Sequence, residues 1–295
     1  MSQLTLGVDA SDAIARLAMV GGDGAIVTQG VVAANRAAAI ADAAKKAIGA
    51  AKGKVCGVAI ALPSAAEAIP AELTDALAPI VKVVPTAIAA GTAAAVAEHW
   101  RGSARGVQQL VAFSIAEHVT AGVLIAGKPW RGAHGLAASV GWLAMNPVER
   151  EDYRRLGGLE AEVASAGIVR RFVWRIKSGD RSRVADQVNG DFSKIAAADI
   201  LQGARAGDGV AISVVRDTAK YIGMAVANLA TVFDPEVVVL GGIIASSGDI
   251  MLEAIRTETT RRLMPQQAER LRVELSTLGD DAVALGAARA LSAGP

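Results

Sequence analysis

The pattern that most constrains this chain is a run of short apolar segments at its beginning, each of ordinary strand length. Leu4–Asp9, Ala13–Val20 and Ala25–Val32 are apolar or alternate apolar with polar residues. The last two are separated by Gly21-Gly-Asp-Gly24, and glycine supplies the positive φ that tight turns require. We therefore predict three strands in a meander with a hairpin turn at these glycines. A dinucleotide-binding loop is not expected, because no helix follows them.

Strands and helices then alternate, and a second strand pair opens the other half of the chain. Further strands are predicted over Val55–Leu62, Val81–Val84, Gln109–Ser114, Thr120–Ile125 and Val237–Leu240, and helices over Asn35–Ala51, Glu72–Leu77, Gly91–Trp100, Gly158–Ser165, Ile168–Ile176, Ala196–Arg205 and Val210–Val232. Because each half begins with strands and proceeds to helices, we expect an α/β protein with mixed sheets. The expected domains are residues 1–105, completed by a C-terminal helix at about 281–295, and residues 106–280.

The composition limits the expected partners and compartment. There are 30 Lys and Arg against 29 Asp and Glu, so the net charge of +1 gives no reason to expect nucleic acid or a membrane surface as partner. The N-terminus lacks a signal-peptide pattern, and no uninterrupted apolar run has membrane-spanning length, so we expect a cytoplasmic protein. The single cysteine, Cys56, is expected to pack as a small hydrophobe in a buried strand, with a reactive thiol as the alternative.

Four segments spread over the chain carry a resemblance to a known family. Residues 127–135 read Gly-Lys-Pro-Trp-Arg-Gly-Ala-His-Gly, residues 158–165 Gly-Leu-Glu-Ala-Glu-Val-Ala-Ser, residues 234–242 Asp-Pro-Glu-Val-Val-Val-Leu-Gly-Gly, and residues 278–287 Leu-Gly-Asp-Asp-Ala-Val-Ala-Leu-Gly-Ala. These segments resemble motifs of the ROK family (repressor, open reading frame, kinase), and they occur in the same order along the chain with nearly the same spacing. The resemblance implies a two-domain actin-like ATPase fold of the ribonuclease H type, similar to ROK glucokinases, with ATP between the halves and a homodimer formed through the C-terminal half.

The first phosphate loop of that family reads Asp-x-Gly-Gly-Thr-Lys, whereas residues 9–14 here read Asp-Ala-Ser-Asp-Ala-Ile. Glycines let backbone amides approach a phosphate closely, and the family's hydroxyl and cation are replaced as well. Asp12 places a negative charge where the resemblance puts a phosphate. Asp9 and Ser11 are further candidates for the ligand cleft, with Asp9 expected as a strand-end carboxylate that caps the turn.

The family's second phosphate loop, Gly-Thr-Gly-x-Gly, is matched by Ala116-Glu-His-Val-Thr120. Glu117 and His118 fill the space of small residues there, and Glu117 adds another carboxylate. Three interpretations stay open: Glu117 as a substitute base, Glu117 with His118 and His99 as metal ligands, or two solvated residues at a strand turn. Adjacent residues on a strand point to opposite faces, which favours the last.

The residues that would hold and activate a sugar also differ. Residues 85–100 resemble the family's active-site helix, with Ala90 at the position of its catalytic Asp. The methyl group of alanine cannot accept a proton from a sugar hydroxyl. A general base typically contributes a factor of about 10²–10⁴ to the reaction rate. The family's Glu-x-Gly-His sugar motif corresponds to Ser139-Val-Gly-Trp142, where Trp142 either stacks on a flatter ligand or packs in the core. Gly241 and Gly242 match the double glycine that approaches adenosine.

Many members of the family fold a loop around zinc with one His and three Cys. The corresponding residues 146–158 contain neither residue type, so no metal is expected. No cofactor is expected either, and ATP with magnesium enters only if the chain is an active enzyme.

Three functions are compatible with the resemblance. The first is a catalytically degenerate homologue of ROK sugar kinases that binds a small or sugar-like ligand or acts as a regulatory protein. The second is an active ATP-dependent sugar kinase, or another phosphotransferase, with rebuilt phosphate loops. The third is a sequence-specific repressor, which is disfavoured because repressor members carry a helix-turn-helix ahead of the first strand, where this chain begins. Coordinated loss of several motifs favours the first.

Overall fold

The first sheet has five strands and contains the predicted meander. The computed structural model describes residues 3–51, 53–64 and 67–292. The strands are β1 (Gln3–Asp9), β2 (Ala15–Gly21), β3 (Ile26–Val32), β4 (Lys54–Leu62) and β5 (Thr86–Ala89), in the order β3-β2-β1-β4-β5. β1 pairs antiparallel with β2 and parallel with β4, and β4 pairs parallel with β5. The three N-terminal strands of the prediction are confirmed to within two residues at each end.

The turn between β2 and β3 forms where the glycines predicted it. Gly24 has φ +79°, and the amide of Gly21 donates to the carbonyl of Ala25 at 2.8 Å. The Asp23 carboxylate accepts a further hydrogen bond from the Ala25 amide at 2.9 Å. A residue with a Cβ at position 24 would be strained in this left-handed conformation, so glycine is required there.

Four helices cover the two faces of this sheet: α1 (Ala37–Ala51), α2 (Ala71–Leu77), α3 (Ala90–Trp100) and, from the end of the chain, α13 (Ala282–Ser292). Alternate residues of β1 serve the two faces, as the strand period requires. Leu4, Leu6 and Val8 pack into a core with α1 and α2. Gly7 faces α13 instead, where an added Cβ would lie 2.1 Å from the Ala284 carbonyl oxygen.

Close backbone contacts also define the packing of α3. A Cβ at Gly91 would lie 2.1 Å from the carbonyl oxygen of Ala121, and a Cβ at Gly286 of α13 would lie 1.7 Å from that of Ala93. No real Cβ approaches an oxygen so closely, so both positions need glycine. The low aromatic content of 3% is consistent with this packing, because small side chains let helices and strands approach at backbone distance.

The second sheet has the order β10-β9-β6-β7-β8, built from β6 (Leu110–Ile115), β7 (Val119–Ile125), β8 (Lys128–Pro129), β9 (Val237–Gly242) and β10 (Arg272–Leu275). The remaining helices are α4 (Glu151–Leu156), α5 (Gly158–Val163), α6 (Ser165–Lys177), α7 (Arg183–Gln187), α8 (Ala197–Arg205), α9 (Gly209–Phe233), α10 (Ile243–Ser246), α11 (Gly248–Thr260) and α12 (Pro265–Ala268). Short 3-10 helices occupy Val140–Trp142, Phe192–Lys194 and Gly279–Asp281.

The longest helix, α9, begins and ends at recognisable caps. The Asp208 carboxylate accepts from the Ala211 amide at 2.9 Å, and its other oxygen accepts from the Ser182 hydroxyl at 2.8 Å. Asp208 therefore caps α9 and anchors the start of α7 together. The helix ends at Phe233 and is followed by Asp234 in the left-handed conformation, with φ +44°.

The chain divides into two compact units. One comprises the described residues of Met1–Phe113, Thr120–Ser139 and Ser276–Pro295, and the other comprises Ser114–Val119 and Val140–Leu275. These units divide the chain differently from the expected domains 1–105 and 106–280, because residues 106–113 and 120–139 belong to the first unit. The expected domain boundaries stay a prediction.

Two local predictions were wrong. The apolar run Val81–Val84 is not a strand. Val81 is buried in the core with α1 and α2, whereas Val84 is 87% exposed. The strand begins at Thr86 instead, after a proline that has no backbone N–H to donate to a neighbouring strand. Cys56 is exposed rather than buried, because only the second half of β4, from Val58 onward, lies in the core.

Candidate functional site

The turn after β1 is closed by its own side chains. Asp9 and Ser11 are both buried, and one oxygen of the Asp9 carboxylate accepts from the Ser11 amide at 3.0 Å and from the Ser11 hydroxyl at 2.6 Å. The Asn35 side-chain amide donates to the carbonyls of Ala10 at 2.9 Å and Asp12 at 2.8 Å. Asp9 therefore caps the turn as the sequence suggested, and the turn is braced from the segment after β3.

The electrostatic setting of Asp9 opposes its ionisation. Burial raises the pKa of the Asp9 carboxyl above its ordinary value, and the hydrogen bonds from Ser11 offset part of that effect. Arg16 stabilises the charged form, but Arg16 itself forms an ion pair with Asp280 at 2.5 Å, and Asp280 acts in the opposite sense. The positive charge of Arg16 is thus shared between Asp9 and Asp280.

Ala90 is the first residue of α3 and is 1% exposed. The first turn of this helix carries no acidic residue, and the preceding Ala89 makes no side-chain cap. The only carboxylate of α3 is Glu98, near the other end of the helix. Its side chain is buried and accepts from the Ser276 hydroxyl at 2.5 Å and from the Ser103 amide at 2.8 Å. Burial raises the pKa of Glu98, and these contacts give it a structural role.

His118 and Glu160 form a pair that the sequence did not suggest. Nδ1 of His118 lies 3.2 Å from Oε1 of Glu160, and Oε2 of Glu160 accepts from the Val119 amide at 3.0 Å. A carboxylate that orients an imidazole is the usual support of a histidine base or ligand. The two residues are 42 positions apart, so only the fold of α5 against the β6–β7 turn brings them together.

Glu117, beside this pair, is exposed, and His118 is partly exposed. His99, the third proposed ligand, belongs to the other compact unit. In residues 3–51, 53–64 and 67–292, no group of three or more His, Cys, Asp or Glu side chains is placed to hold a metal ion. The expectation of no metal stays a prediction.

The two candidate sugar contacts are both exposed. The Ser139 hydroxyl donates to the Leu136 carbonyl at 2.7 Å. Trp142 ends the 3-10 helix Val140–Trp142 and is 61% exposed. The interpretation of Trp142 as a core aromatic was therefore wrong: the buried residues of that short helix are Val140 and Gly141, and the indole is left in solvent.

Gly241 and Gly242 end β9 where it meets the end of β6. Gly242 has φ +64°, and a Cβ there would lie 2.0 Å from the Ile115 carbonyl oxygen. A Cβ at Gly241 would lie 3.2 Å from the Ser114 hydroxyl oxygen. Gly242 is therefore required by the sheet itself, whether or not a ligand approaches it.

With this geometry established, the class of protein follows from comparison with known families. A model of the ROK family matches residues 5–293, so the chain belongs to the ROK family. The two mixed sheets with helices are the α/β, actin-like ATPase fold of ROK sugar kinases, which confirms the fold class expected from the sequence.

Relatives in this family include both kinases and repressors. The chain is 29% identical over 198 residues to a glucokinase of Halalkalibacterium halodurans, across 65% of this chain and 59% of the relative. It is 31% identical over 200 residues to the xylose repressor of Caldicellulosiruptor bescii, across 66% of this chain and 48% of the relative. The matched region thus spans less than two thirds of either relative.

Two solved structures match almost the whole chain. A ROK family glucokinase from Streptomyces griseus, in complex with glucose and AMPPNP, has a TM-score of 0.78 at 25% identity, covering 97% of this chain and 98% of that one. A ROK family transcriptional regulator homologous to the E. coli MLC protein has a TM-score of 0.80 at 21% identity, covering 98% and 78%. In the described residues, no helix is both long and apolar enough to cross a membrane.

Proposed function

We propose that this chain is a catalytically degenerate ROK protein that binds a small, sugar-like ligand and acts in regulation rather than in phosphoryl transfer. The observation that carries the proposal is the start of α3, where the buried Ala90 stands at the position that the resemblance assigns to the catalytic base. Neither Ala90 nor its neighbour Gly91 has a group that can accept a proton from a sugar hydroxyl.

The turn after β1 supports the proposal, because its residues do not fit a triphosphate. One Asp9 oxygen is already engaged by two donors from Ser11, and Asp12 adds a second carboxylate to the same turn. At about 5 Å and an effective dielectric constant of about 20, each pair of like charges costs about 3 kcal/mol. A phosphate binds where amides and cations converge, and this turn offers carboxylates.

The β6–β7 turn supports the proposal in a second place. Glu117 is exposed there and adds a carboxylate where the resemblance puts a phosphate loop. The nearby Val119 amide, which a phosphate loop would present to a ligand, donates to Glu160 at 3.0 Å instead. ATP with magnesium is therefore no part of the proposed function.

One observation favours the second candidate, an active phosphotransferase with rebuilt loops. The carboxylate of Glu160 lies against His118, and the imidazole keeps part of its surface in solvent. A histidine supported in this way is able to act as a general base. If the chain transfers a phosphoryl group, we expect His118 rather than any residue of α3 to accept the proton.

The proposal also includes the partners of the chain and its compartment. The net charge of +1 argues against nucleic acid as a partner of this chain, although relatives include a xylose repressor. We expect a cytoplasmic homodimer. Sedimentation at micromolar protein should give twice the 30.0 kDa mass of the chain, and a single species of the monomer mass would count against the dimer.

Calorimetry combined with an assay for ADP release tests the proposal. The protein is titrated with Mg-ATP, with ADP and with a panel of hexoses, and turnover is measured in the same solutions. We expect binding of a sugar or sugar-like compound without sugar-dependent ADP release, and no low-micromolar affinity for Mg-ATP. Sugar-dependent ADP release that disappears in a His118→Gln variant would establish the second candidate instead.

A further inference from the structure

A cavity of about 1030 Å³ lies within the second unit, among residues of α4, α5, α6 and α9 and of the segment before α4, and no residue considered above as a sugar or nucleotide contact lines it. Its size is at the upper end of the range for small-molecule pockets. Five cationic and four acidic side chains line it, which leaves one positive charge in excess. Apolar side chains, including Trp174 and Met224, complete the wall.

Three of the five cations each pair with a different acid of the wall. Arg170 donates to Asp152 at 2.5 Å, Arg175 donates to Asp180 at 2.8 Å, and Lys220 pairs with Asp217 at 3.4 Å. These three pairs cancel their charges. The excess positive charge therefore belongs to the other two cations, Arg150 and Arg171.

Arg150 and Arg171 have the Glu162 carboxylate as their only acidic partner in the wall, and they share it with Arg170 at 3.8 Å; none of the three reaches it at hydrogen-bond distance. Glu162 is buried, with Arg150 at 3.6 Å and Arg171 at 4.0 Å, while its Oε1 accepts from the Tyr153 hydroxyl at 2.5 Å. Arg171 donates from Nη2 to Thr218. Its Nε and Nη1 are buried and have no hydrogen-bond partner within the described part of the chain.

Buried guanidinium donors without an acceptor are costly, and a planar fork of N–H groups matches a carboxylate or a phosphate. Burial also lowers the pKa of Arg171 from its ordinary value, and the negative charges of Glu162 and Asp217 offset only part of that effect. Charge separates the two ligand chemistries. A monoanion neutralises the excess of one positive charge, whereas a dianionic phosphate monoester would leave a negative charge beside buried Glu162.

The apolar part of the wall indicates what the anionic group is attached to. Trp174 is 68% exposed although it lines the cavity, and the Tyr221 ring lies with its centroid 5.6 Å from the Arg171 guanidinium carbon. An exposed indole and a partly buried phenol ring beside an arginine form a surface on which a flat apolar body packs.

We propose that this cavity binds a small monocarboxylic acid with a flat apolar body, its carboxylate held by Arg150 and Arg171 and its body packed on Trp174 and Tyr221. The covered N–H groups of Arg171 become accessible by a side-chain rotation in the cavity wall, as is common on ligand binding. This site lies beyond the proposed function and does not depend on whether the chain transfers a phosphoryl group.

Three probes of one shape test the proposal: 2-naphthoate, the neutral 2-naphthalenemethanol and the dianionic 2-naphthyl phosphate. Each is titrated into the full chain by calorimetry, with tryptophan fluorescence as a second readout. We expect saturable binding of 2-naphthoate, about tenfold tighter than either other probe. Equal binding of the alcohol, tighter binding of the phosphate, or no saturable binding of 2-naphthoate would each overturn the proposal.

Two variants at exposed positions locate the binding without threatening the fold. Arg150→Gln should weaken 2-naphthoate binding about tenfold, and Trp174→Ala should weaken it and remove the fluorescence response. Arg154→Gln is the matched control, because Arg154 lies on α4, pairs with Glu149 at 2.9 Å and does not line the cavity. Equal affinities of the Arg150→Gln and Arg154→Gln variants would contradict the assignment.

Discussion

Glu160 holds His118 through one carboxylate oxygen and the Val119 amide through the other, at 3.2 Å and 3.0 Å. A single side chain of α5 thereby fixes both the imidazole of the β6–β7 turn and the first amide of β7. The turn is ordered by a charged acceptor rather than by glycines, which is the physical difference between it and a loop that cradles phosphate.

Glu160→Gln should lower the free energy of unfolding by about 1 kcal/mol, because a neutral amide has one acceptor oxygen for two donors and loses the charge that strengthens both contacts. Urea denaturation measures the change. Glu253→Gln, at an exposed position of α11, is the control and should stay within about 0.5 kcal/mol of the parent chain. Equal values for both variants would mean that the charge of Glu160 contributes nothing to stability through its contacts with His118 and the Val119 amide.

Gly91→Ala should destabilise the chain by at least about 2 kcal/mol, because its Cβ would collide with the backbone of Ala121 and that backbone belongs to a strand that cannot shift freely. Gly49→Ala is the matched control: it also lies in a helix, and an added Cβ meets nothing within 4 Å. The control should be stabilised by roughly 0.5–1 kcal/mol, since alanine is the better helix former. Thermal and urea unfolding of both variants give the comparison.

The raised pKa of Glu98 predicts a dependence of stability on pH. A carboxyl whose pKa is raised by folding contributes stability that is fully present below its unfolded value of 4.5 and is lost as the pH rises through the folded value. Glu98→Gln removes this contribution, so the difference in unfolding free energy between parent and variant should shift against the parent from pH 4.5 upward. Urea titrations between pH 4 and pH 7 measure it, and a difference that is constant with pH would contradict the burial argument.

Ala90→Asp should not produce sugar-dependent ADP release, because a base contributes only when ATP and sugar are already held in line. The variant should also melt at a lower temperature, since Ala90 is 1% exposed and a carboxylate there loses its hydration. Ala90→Asn, of the same size and uncharged, separates the two effects. Sugar-dependent turnover by Ala90→Asp above the parent background would show a recently silenced kinase and would replace the degenerate function.

The local parts of the fold were predictable from the sequence, and the reasons are local as well. Strand length and the glycine turn at residues 21–24 determine β1 to β3 without reference to distant residues. The prediction of a strand over Val81–Val84 was wrong because apolar character alone does not distinguish a residue that fills a core, such as Val81, from a residue that pairs in a sheet.

The candidate site was less accessible to sequence reasoning. Motif comparison located Asp9, Ala90 and His118, but the side chains that hold the turns around Asp9 and His118, Asn35 and Glu160, lie 25 or more residues away in the sequence. Nothing local distinguishes Glu160 from any other helical glutamate, and nothing local shows that Trp142 is left in solvent while Arg171 is covered. These distinctions are properties of tertiary packing.

The backbone contacts made at Gly7, Gly91 and Gly286 limit how this chain can change over time. A core of large side chains can absorb a substitution by rearranging its neighbours, but two backbones in contact have no side chain that can move aside. We expect these three positions to tolerate no other residue in a saturation library selected for folding. The turns that carry Asp12 and Glu117 are held by the side chains of Asn35 and Glu160 instead, so they are able to change by substitution while the glycine framework stays constant.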